Sequence, residues 1–216
     1  MPQIKRFIFN LFQVNTYILY DESGECVIID AGCYGVSEEE EIAGFVEKSG
    51  LKPVRLLNTH SHIDHITGNM FISRKYGLKL EAHPDGGHFV RHAPEDAAVF
   101  GFDDIEPLMP EVALTEGGLI RFGNSELEII ETPGHAAGSV CFINHQGKFV
   151  ITGDVLFRQS IGRTDLFSGD FDTLVDSIRN KLFTLPKDYT VYPGHGPETS
   201  IGIEMYSNPF LADLSA

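Results

Sequence analysis

The stretch Asn58-Thr59-His60-Ser61-His62-Ile63-Asp64-His65 contains three histidines and one aspartate within six consecutive positions. It follows a short apolar run that predicts a strand. Alternate residues of a strand lie on one face, so His60 and His62 should point the same way. His65 can join them only if the chain bends near Ile63 and begins a helix. Four potential ligands at this spacing predict a metal site.

The composition limits the class of protein. The chain has 216 residues, of which 42% are hydrophobic, and we expect one domain, 1–216, with a buried core. The net charge of −15 argues against nucleic acid as a partner, because phosphate contacts depend on Lys and Arg. Cys26, Cys33 and Cys141 form no paired framework, and no apolar run approaches the length of a membrane span. We expect a cytoplasmic protein, and the sequence does not indicate its oligomeric state.

The pattern of apolar and polar residues predicts an α/β protein with two blocks of strands. Strands are predicted over 4–11, 14–20, 25–30, 51–59, 79–82, 119–122, 126–131, 140–144, 148–152 and 189–192, and helices over 38–49, 69–76 and 171–185. The region 83–110 is predicted to form a helix and then a long loop that covers a substrate cleft. Its histidines, His83, His88 and His92, are interpreted as surface residues, with His83 the nearest to the site.

Two Pro-Gly-His sequences end predicted strands, at 133–135 and 193–195. Proline cannot donate a hydrogen bond to a sheet and glycine allows a sharp turn, so each pair ends its strand and directs the next side chain off the sheet. Asp154 follows another strand in the same way. With the histidine cluster, four strand ends therefore present residues that can bind metal.

Counted together, these strand ends supply five imidazoles and two carboxylates: His60, His62, Asp64, His65, His135, Asp154 and His195. One zinc ion needs three or four protein ligands, so seven suffice for two ions. A simple division gives His60, His62 and His135 to one ion and Asp64, His65 and His195 to the other, with Asp154 bridging. Two such ions share a water and lower its pKa toward ~7, which predicts a hydrolase. Zinc is expected, although the ligands also suit iron or manganese.

Two acidic residues have alternative interpretations. Asp30 ends the predicted strand 25–30 and is either a turn former or a contact of a ligand histidine. Asp64 either binds metal or caps the helix that begins beside it.

These motifs resemble the metallo-β-lactamase superfamily. Segments 59–68, 132–139, 152–164 and 192–198 are similar to its hydroxyacylglutathione hydrolase (glyoxalase II) branch, particularly the short bacterial form. The resemblance implies a four-layer αββα sandwich of two mixed sheets, with the metals at the edge of the sheets. β-Lactamases of the superfamily commonly have cysteine at the position of Asp154, and its ribonucleases carry RNA-binding elements that this sequence lacks, so both are less favoured.

The resemblance implies hydrolysis of a small-molecule thioester such as S-lactoylglutathione by a metal-bridging hydroxide, with Asp64 as a ligand that also accepts the proton of the attacking water. The family's Lys and Tyr contacts with glutathione are replaced here by the segment 161–165. Arg163 can pair with a substrate carboxylate, or with a loop acid such as Asp165 or Asp170. Arg158 is a weaker candidate for the same role.

Two other functions are considered. A persulfide dioxygenase-like protein has a similar histidine motif, and it would bind a single iron through His60, His135 and Asp154. A metal-binding scaffold without activity is the third alternative, although it would not need all seven residues.

Overall fold

The computed structural model describes residues 1–103 and 105–211. Position 104 and positions 212–216 of the predicted domain lie outside the described residues. The strands are β1 Gln3–Phe9, β2 Val14–Tyr20, β3 Glu25–Ile29, β4 Lys52–Leu57, β5 Leu80–Ala82, β6 Val112–Ala113, β7 Leu119–Phe122, β8 Ser125–Glu131, β9 Val140–Asn144, β10 Phe149–Gly153, β11 Leu156–Phe157, β12 Ser160–Ile161, β13 Thr190–Pro193 and β14 Thr199–Ser200. The α-helices are α1 Gly35–Lys48, α2 Ile63–Ile66, α3 Asn69–Tyr76, α4 Gly87–Phe100, α5 Phe171–Asn180 and α6 Ile201–Ser207.

The strands form two six-stranded sheets and a small hairpin of β11 and β12. The first sheet has the order β1-β2-β3-β4-β5-β6, and its pairs are antiparallel up to β3 and parallel from β3 onward. The second sheet has the order β14-β13-β10-β9-β8-β7, in which β13 and β10 are parallel and the other pairs antiparallel. Both sheets are therefore mixed, as the resemblance implied.

Side chains of the central strands alternate between two buried layers. In β3, Val27 and Ile29 belong to the core between the sheets, whereas Cys26 and Ile28 pack in the core beneath α1 and α3. In β9, alternate residues likewise pack between the sheets or beneath α5 and α6. Strands buried on both faces read as continuous apolar runs. The four layers confirm the αββα sandwich.

The histidine motif and the other predicted ligands lie at one edge of both sheets. Strand β10 runs parallel to β13, and β8 runs in the direction of β10 because both are antiparallel to β9. The residues that follow these three strands therefore emerge at one edge. Hydrogen bonds join this edge to the first sheet, from Asn15 N to Gly194 O at 2.7 Å and from Val140 N to Thr59 O at 2.8 Å.

Several predicted elements differ from the structure. The predicted helix 171–185 ends at Asn180, and a short 3-10 turn, Leu182–Thr184, replaces its last part. Leu185 is extended, as a residue before proline is expected to be. Strands β6, β11, β12 and β14 are not predicted, since each has two residues. Within the described residues, no helix combines the length and apolar character needed to span a membrane.

Candidate metal centre

The histidine motif changes from strand-like to helical backbone in its middle. His62 is extended and forms the N-cap of α2, which begins at Ile63 and turns His65 toward the other histidines. The bend near Ile63 is therefore confirmed. The capping alternative for Asp64 is wrong, because the helix begins before this residue and Asp64 lies within its first turn. Its Oδ2 instead lies 3.1 Å from His195 Nε2.

Glycines at the other strand ends permit a very close approach of the chain. A Cβ atom on Gly194 would lie 2.1 Å from Asp154 Oδ1. Gly153 has φ +50°, and a Cβ atom there would lie 2.3 Å from Thr59 Oγ1. Only glycine fits such positions, so these residues fix how Asp154 and His195 reach the centre.

The structure brings all seven predicted residues together. Within the described residues, three groups have ligand atoms that lie within 4.8 Å of one another: His60, His62 and His135; His60, His65 and Asp154; and Asp64, His65 and His195. Asp154 lies between the first and the last group. Its Oδ1 is 3.3 Å from His65 Nε2, and its Oδ2 is 3.5 Å from His195 Nε2 and 3.7 Å from His135 Nε2.

Four of the imidazoles are oriented through Nδ1, which leaves Nε2 for a metal ion. These contacts are His60 with Thr59 Oγ1 at 3.1 Å, His65 with Asp30 Oδ2 at 3.0 Å, His135 with Arg163 O at 2.8 Å and His195 with Phe12 O at 3.0 Å. His62 differs, because its Nδ1 lies 3.0 Å from His135 Nε2. A backbone carbonyl leaves no signal in the sequence, so the contacts of Phe12 and Arg163 were not predicted.

Several buried atoms of the cluster have no hydrogen-bond partner. They are His60 Nε2, His62 Nε2, His65 Nε2 and Asp154 Oδ1. Buried polar atoms are rarely left unpaired, and divalent cations bound within these groups would satisfy them. Imidazole nitrogens and carboxylate oxygens are ligands of zinc, iron and manganese. The residues present therefore fit divalent metal ions.

Burial sets the charge of one histidine group. It lowers the pKa of His62 to about 3, and it also lowers the pKa values of His60 and His135, with neighbouring imidazoles adding to the effect. These three side chains are neutral at pH 7, which is the form of histidine that binds metal.

The carboxylates and the remaining histidines shift each other's pKa values. Burial alone would raise the pKa values of Asp64 and Asp154, but the nearby imidazoles, above all His65, outweigh it and hold both below their ordinary value. Burial also opposes charge on His65 and His195, whereas contact with the two carboxylates raises their pKa values. Both aspartates are therefore ionised and ready to bind a cation.

Asp30 has features of both alternatives considered for it. Its φ of +52° is typical of a turn. Its carboxylate accepts hydrogen bonds from Thr59 N and Thr59 Oγ1, each at 2.7 Å, and contacts His65 Nδ1 at 3.0 Å. Asp30 thus connects the end of β3 to the histidine motif.

A cavity of about 350 Å³ opens over the cluster. Its polar floor contains Asp64, His135, Asp154 and His195. Side chains of α4, rather than the predicted loop that follows this helix, form one wall. Among the described residues, those that line the cavity are Phe12, His62, Ile63, Asp64, Phe89, Asp96, Phe100, His135, Asp154, Arg163, Leu166, Phe167 and His195.

The other predicted residues take different positions. Arg163 lines the cavity and makes two contacts of 2.8 Å with Asp165, which is the loop ion pair considered from the sequence. Arg158 is exposed and is not among the described residues that line the cavity. His83 is not among the described lining residues either, and its Nε2 lies 3.3 Å from Glu131 Oε1.

An αββα sandwich with histidines and aspartates gathered at one edge of its sheets has the architecture of a metallo-hydrolase. The family model of the metallo-β-lactamase superfamily matches residues 9–195. The chain belongs to this superfamily and is one of its metallo-hydrolases.

Three known proteins show the extent of the similarity. Hydroxyacylglutathione hydrolase GloC of Haemophilus influenzae is 37% identical over 206 residues, which cover 94% of this chain and 95% of GloC. The crystal structure of BLEG-1 B3 metallo-β-lactamase has a TM-score of 0.86 at 33% identity and covers 97% of this chain and 99% of its own. The crystal structure of TTHA1623 in a di-iron-bound form has a TM-score of 0.84 at 32% identity and covers 96% of this chain and 100% of its own.

Proposed function

We propose that this protein hydrolyses thioesters of the hydroxyacylglutathione type with two divalent metal ions. The position of Asp154 between two groups of three potential ligands carries the proposal. The similarity to GloC supports the thioester, and the similarity to a di-iron protein supports two ions. We propose zinc first, with iron or manganese as substitutes, and a cytoplasmic location, in keeping with three free cysteines.

We propose the division of ligands that the sequence suggested. His60, His62 and His135 would hold one ion, Asp64, His65 and His195 the other, and Asp154 would contact both. Bound divalent ions supply a water of lowered pKa and a positive charge beside the substrate carbonyl. Asp30, Thr59 and the carbonyls of Phe12 and Arg163 would orient the histidines.

Asp64 would also act in catalysis as a proton acceptor. Its contacts with His65 and His195 both use Oδ2, so Oδ1 is left to accept a proton at the floor of the cavity. A strong acid is not needed to release the product, because a thiol with a pKa of about 8.5 is a good leaving group.

Arg163 is proposed to bind an anionic part of the substrate at the mouth of the cavity. Its pair with Asp165 uses Nε and Nη2 and leaves Nη1 free to donate to a second carboxylate.

The mononuclear dioxygenase alternative explains less of the site. An iron bound by His60, His135 and Asp154 would give no role to Asp64 and His195, although their side chains are 3.1 Å apart and both line the cavity. Hydrolysis of a β-lactam is the second candidate, because the fold and length closely match those of BLEG-1. It would use the same ligands.

A comparison of substrates on metal-loaded protein tests the proposal. We expect release of thiol from S-lactoylglutathione, little cleavage of the β-lactam nitrocefin, and no oxygen consumption with glutathione persulfide. Oxygen consumption would establish the dioxygenase instead, and preferred cleavage of nitrocefin would establish the β-lactamase. Absence of all three activities would favour the metal-binding scaffold.

A further inference from the structure

We propose that the substrate carries an aromatic or similarly bulky apolar group beside the reacting carbonyl, rather than the methyl-sized group of a lactoyl ester. The inference rests on the proposed function and names the substrate class of the same site. Five side chains around the polar floor, here called the apolar wall, carry it: Phe12, Phe89, Phe100, Leu166 and Phe167.

Three of the five side chains of the apolar wall are exposed. Phe100 is 45% exposed, Leu166 40% and Phe167 60%. Scattered exposed apolar side chains are common, but these converge on one cavity with a polar floor, which is the usual form of a ligand site.

The aromatic rings of the apolar wall form two contacting pairs. Phe12 packs against Phe100 of α4 with centroids 5.3 Å apart. Phe167, on the segment that precedes α5, packs against Phe89 of α4 at 5.8 Å. All four rings line the cavity, so an apolar group held above the floor would bury its surface against aromatic side chains.

Polar contacts already hold the segment that carries Leu166 and Phe167. Ser168 Oγ accepts a hydrogen bond from Ala137 N at 2.8 Å, and Gly169 N donates to Leu166 O at 2.9 Å. Asp170 N donates to Gly134 O at 2.8 Å. Phe167 also stacks on His88 of α4, with ring centroids 4.2 Å apart, so one face of its ring is covered. The ring is still 60% exposed, and this exposed surface is available to a substrate.

The charges of the cavity agree with a substrate that is anionic at one end and apolar at the other. Among its described lining residues Arg163 is the one Lys or Arg, whereas Asp64, Asp96 and Asp154 are acidic. A glutathione carboxylate finds its partner at Arg163, and the group on the other side of the carbonyl meets rings. The volume of about 350 Å³ is near the lower end for ligand sites. One ring-sized group fits it better than a long chain.

A matched pair of substrates tests the inference on the metal-loaded protein. S-mandeloylglutathione differs from S-lactoylglutathione by a phenyl group in place of a methyl group. We expect kcat/KM to be at least about tenfold higher for the mandeloyl ester. Phe167→Ala should reduce this ratio by about tenfold, because it removes one face of the apolar wall. Phe171→Ala is the control, since Phe171 is also exposed but does not line the cavity.

Binding of the free acids, mandelate and lactate, is a second measurement, and it does not depend on turnover. By calorimetry, mandelate should bind more tightly than lactate, and Phe167→Ala should remove the difference. Equal kcat/KM values for the two esters would overturn the inference while leaving the hydrolase proposal intact. If neither ester is cleaved, the proposed function fails. In that case mandelate binding that Phe167→Ala abolishes still supports the apolar wall, and equal binding of the two acids overturns it.

Discussion

His195 Nε2 lies 3.1 Å from Asp64 Oδ2, although the two residues belong to different halves of the sandwich. Asp64 is in α2, which follows β4 of the first sheet, and His195 follows β13 of the second. At the same edge the Tyr17 hydroxyl of the first sheet donates a hydrogen bond to Pro193 O of the second, at 2.6 Å. The proposed centre therefore exists only when the two sheets are packed together.

Replacing Asp30 tests its role in orienting His65. Asp30→Asn keeps the side-chain size and tolerates the left-handed backbone, but it removes the charge that faces His65 Nδ1. Metal affinity should fall about tenfold to a hundredfold, with an unchanged circular dichroism spectrum. Metal titration with a competing chelator measures the effect. Wild-type affinity in this variant would show that Asp30 only forms the turn.

Gly194→Ala tests the close approach at the end of β13. The new methyl group would lie 2.1 Å from Asp154 Oδ1 and 2.8 Å from His65 Cε1, so the carboxylate or the chain must move. We expect metal affinity and kcat to fall by at least about tenfold. Gly44→Ala is the matched control, because a Cβ atom there meets nothing within 4 Å. Full activity of Gly194→Ala would mean that the centre does not depend on this approach.

The stability of the fold should depend on Asp21 in acid. Burial alone would raise its pKa, but hydrogen bonds from Ser23, Asn124 and Ser125 outweigh it and lower the pKa from 3.8 to about 2. A group with a lowered pKa in the folded state stabilises it above the unfolded pKa, and this stability is lost as pH falls through 4 toward 2.

The variant Asp21→Asn should therefore be less stable than wild type at pH 7, by up to roughly 2 kcal/mol. The difference should shrink as pH falls from 5 to 3. Urea denaturation of both proteins across this range measures it, and the metal centre, which both share, cancels from the comparison. A difference that stays constant with pH would contradict the lowered pKa.

Arg163→Ala tests substrate binding at the mouth of the cavity. If the side chain only anchors a carboxylate, KM for S-lactoylglutathione should rise about twofold to fivefold while kcat stays close to wild type. Arg158→Ala, outside the lining of the cavity, should change neither value. Equal losses in kcat and kcat/KM for Arg163→Ala would instead indicate that the substitution disturbs His135, which its backbone carbonyl contacts.

Much of the centre could be predicted because its residues follow local rules. The alternation of His60 and His62 and the bend before His65 follow from strand and helix geometry, and each Pro-Gly-His marks the end of a strand. The resemblance supplied the two-sheet arrangement that brings these ends together. Strands buried on both faces, such as β9, were evident from their continuous apolar residues.

The remaining features depend on contacts between distant segments. The two-residue strands form because a neighbouring strand is present, which composition does not reveal. Phe89 and Phe167 were not predicted as cavity residues, because neither has a periodic pattern that marks an apolar face toward the site. The capping role considered for Asp64 is wrong because α2 begins before this residue. Propensity rules do not place the end of a helix to within one or two residues.

The metal content of the purified protein tests the central claim most directly. Elemental analysis of wild type should find two divalent ions per chain. Asp154→Ala should retain one ion or none, with an unchanged circular dichroism spectrum and kcat/KM for S-lactoylglutathione lowered by more than about a hundredfold. One ion per chain in fully loaded wild type, or two in Asp154→Ala, would contradict a centre in which Asp154 joins two metal ions.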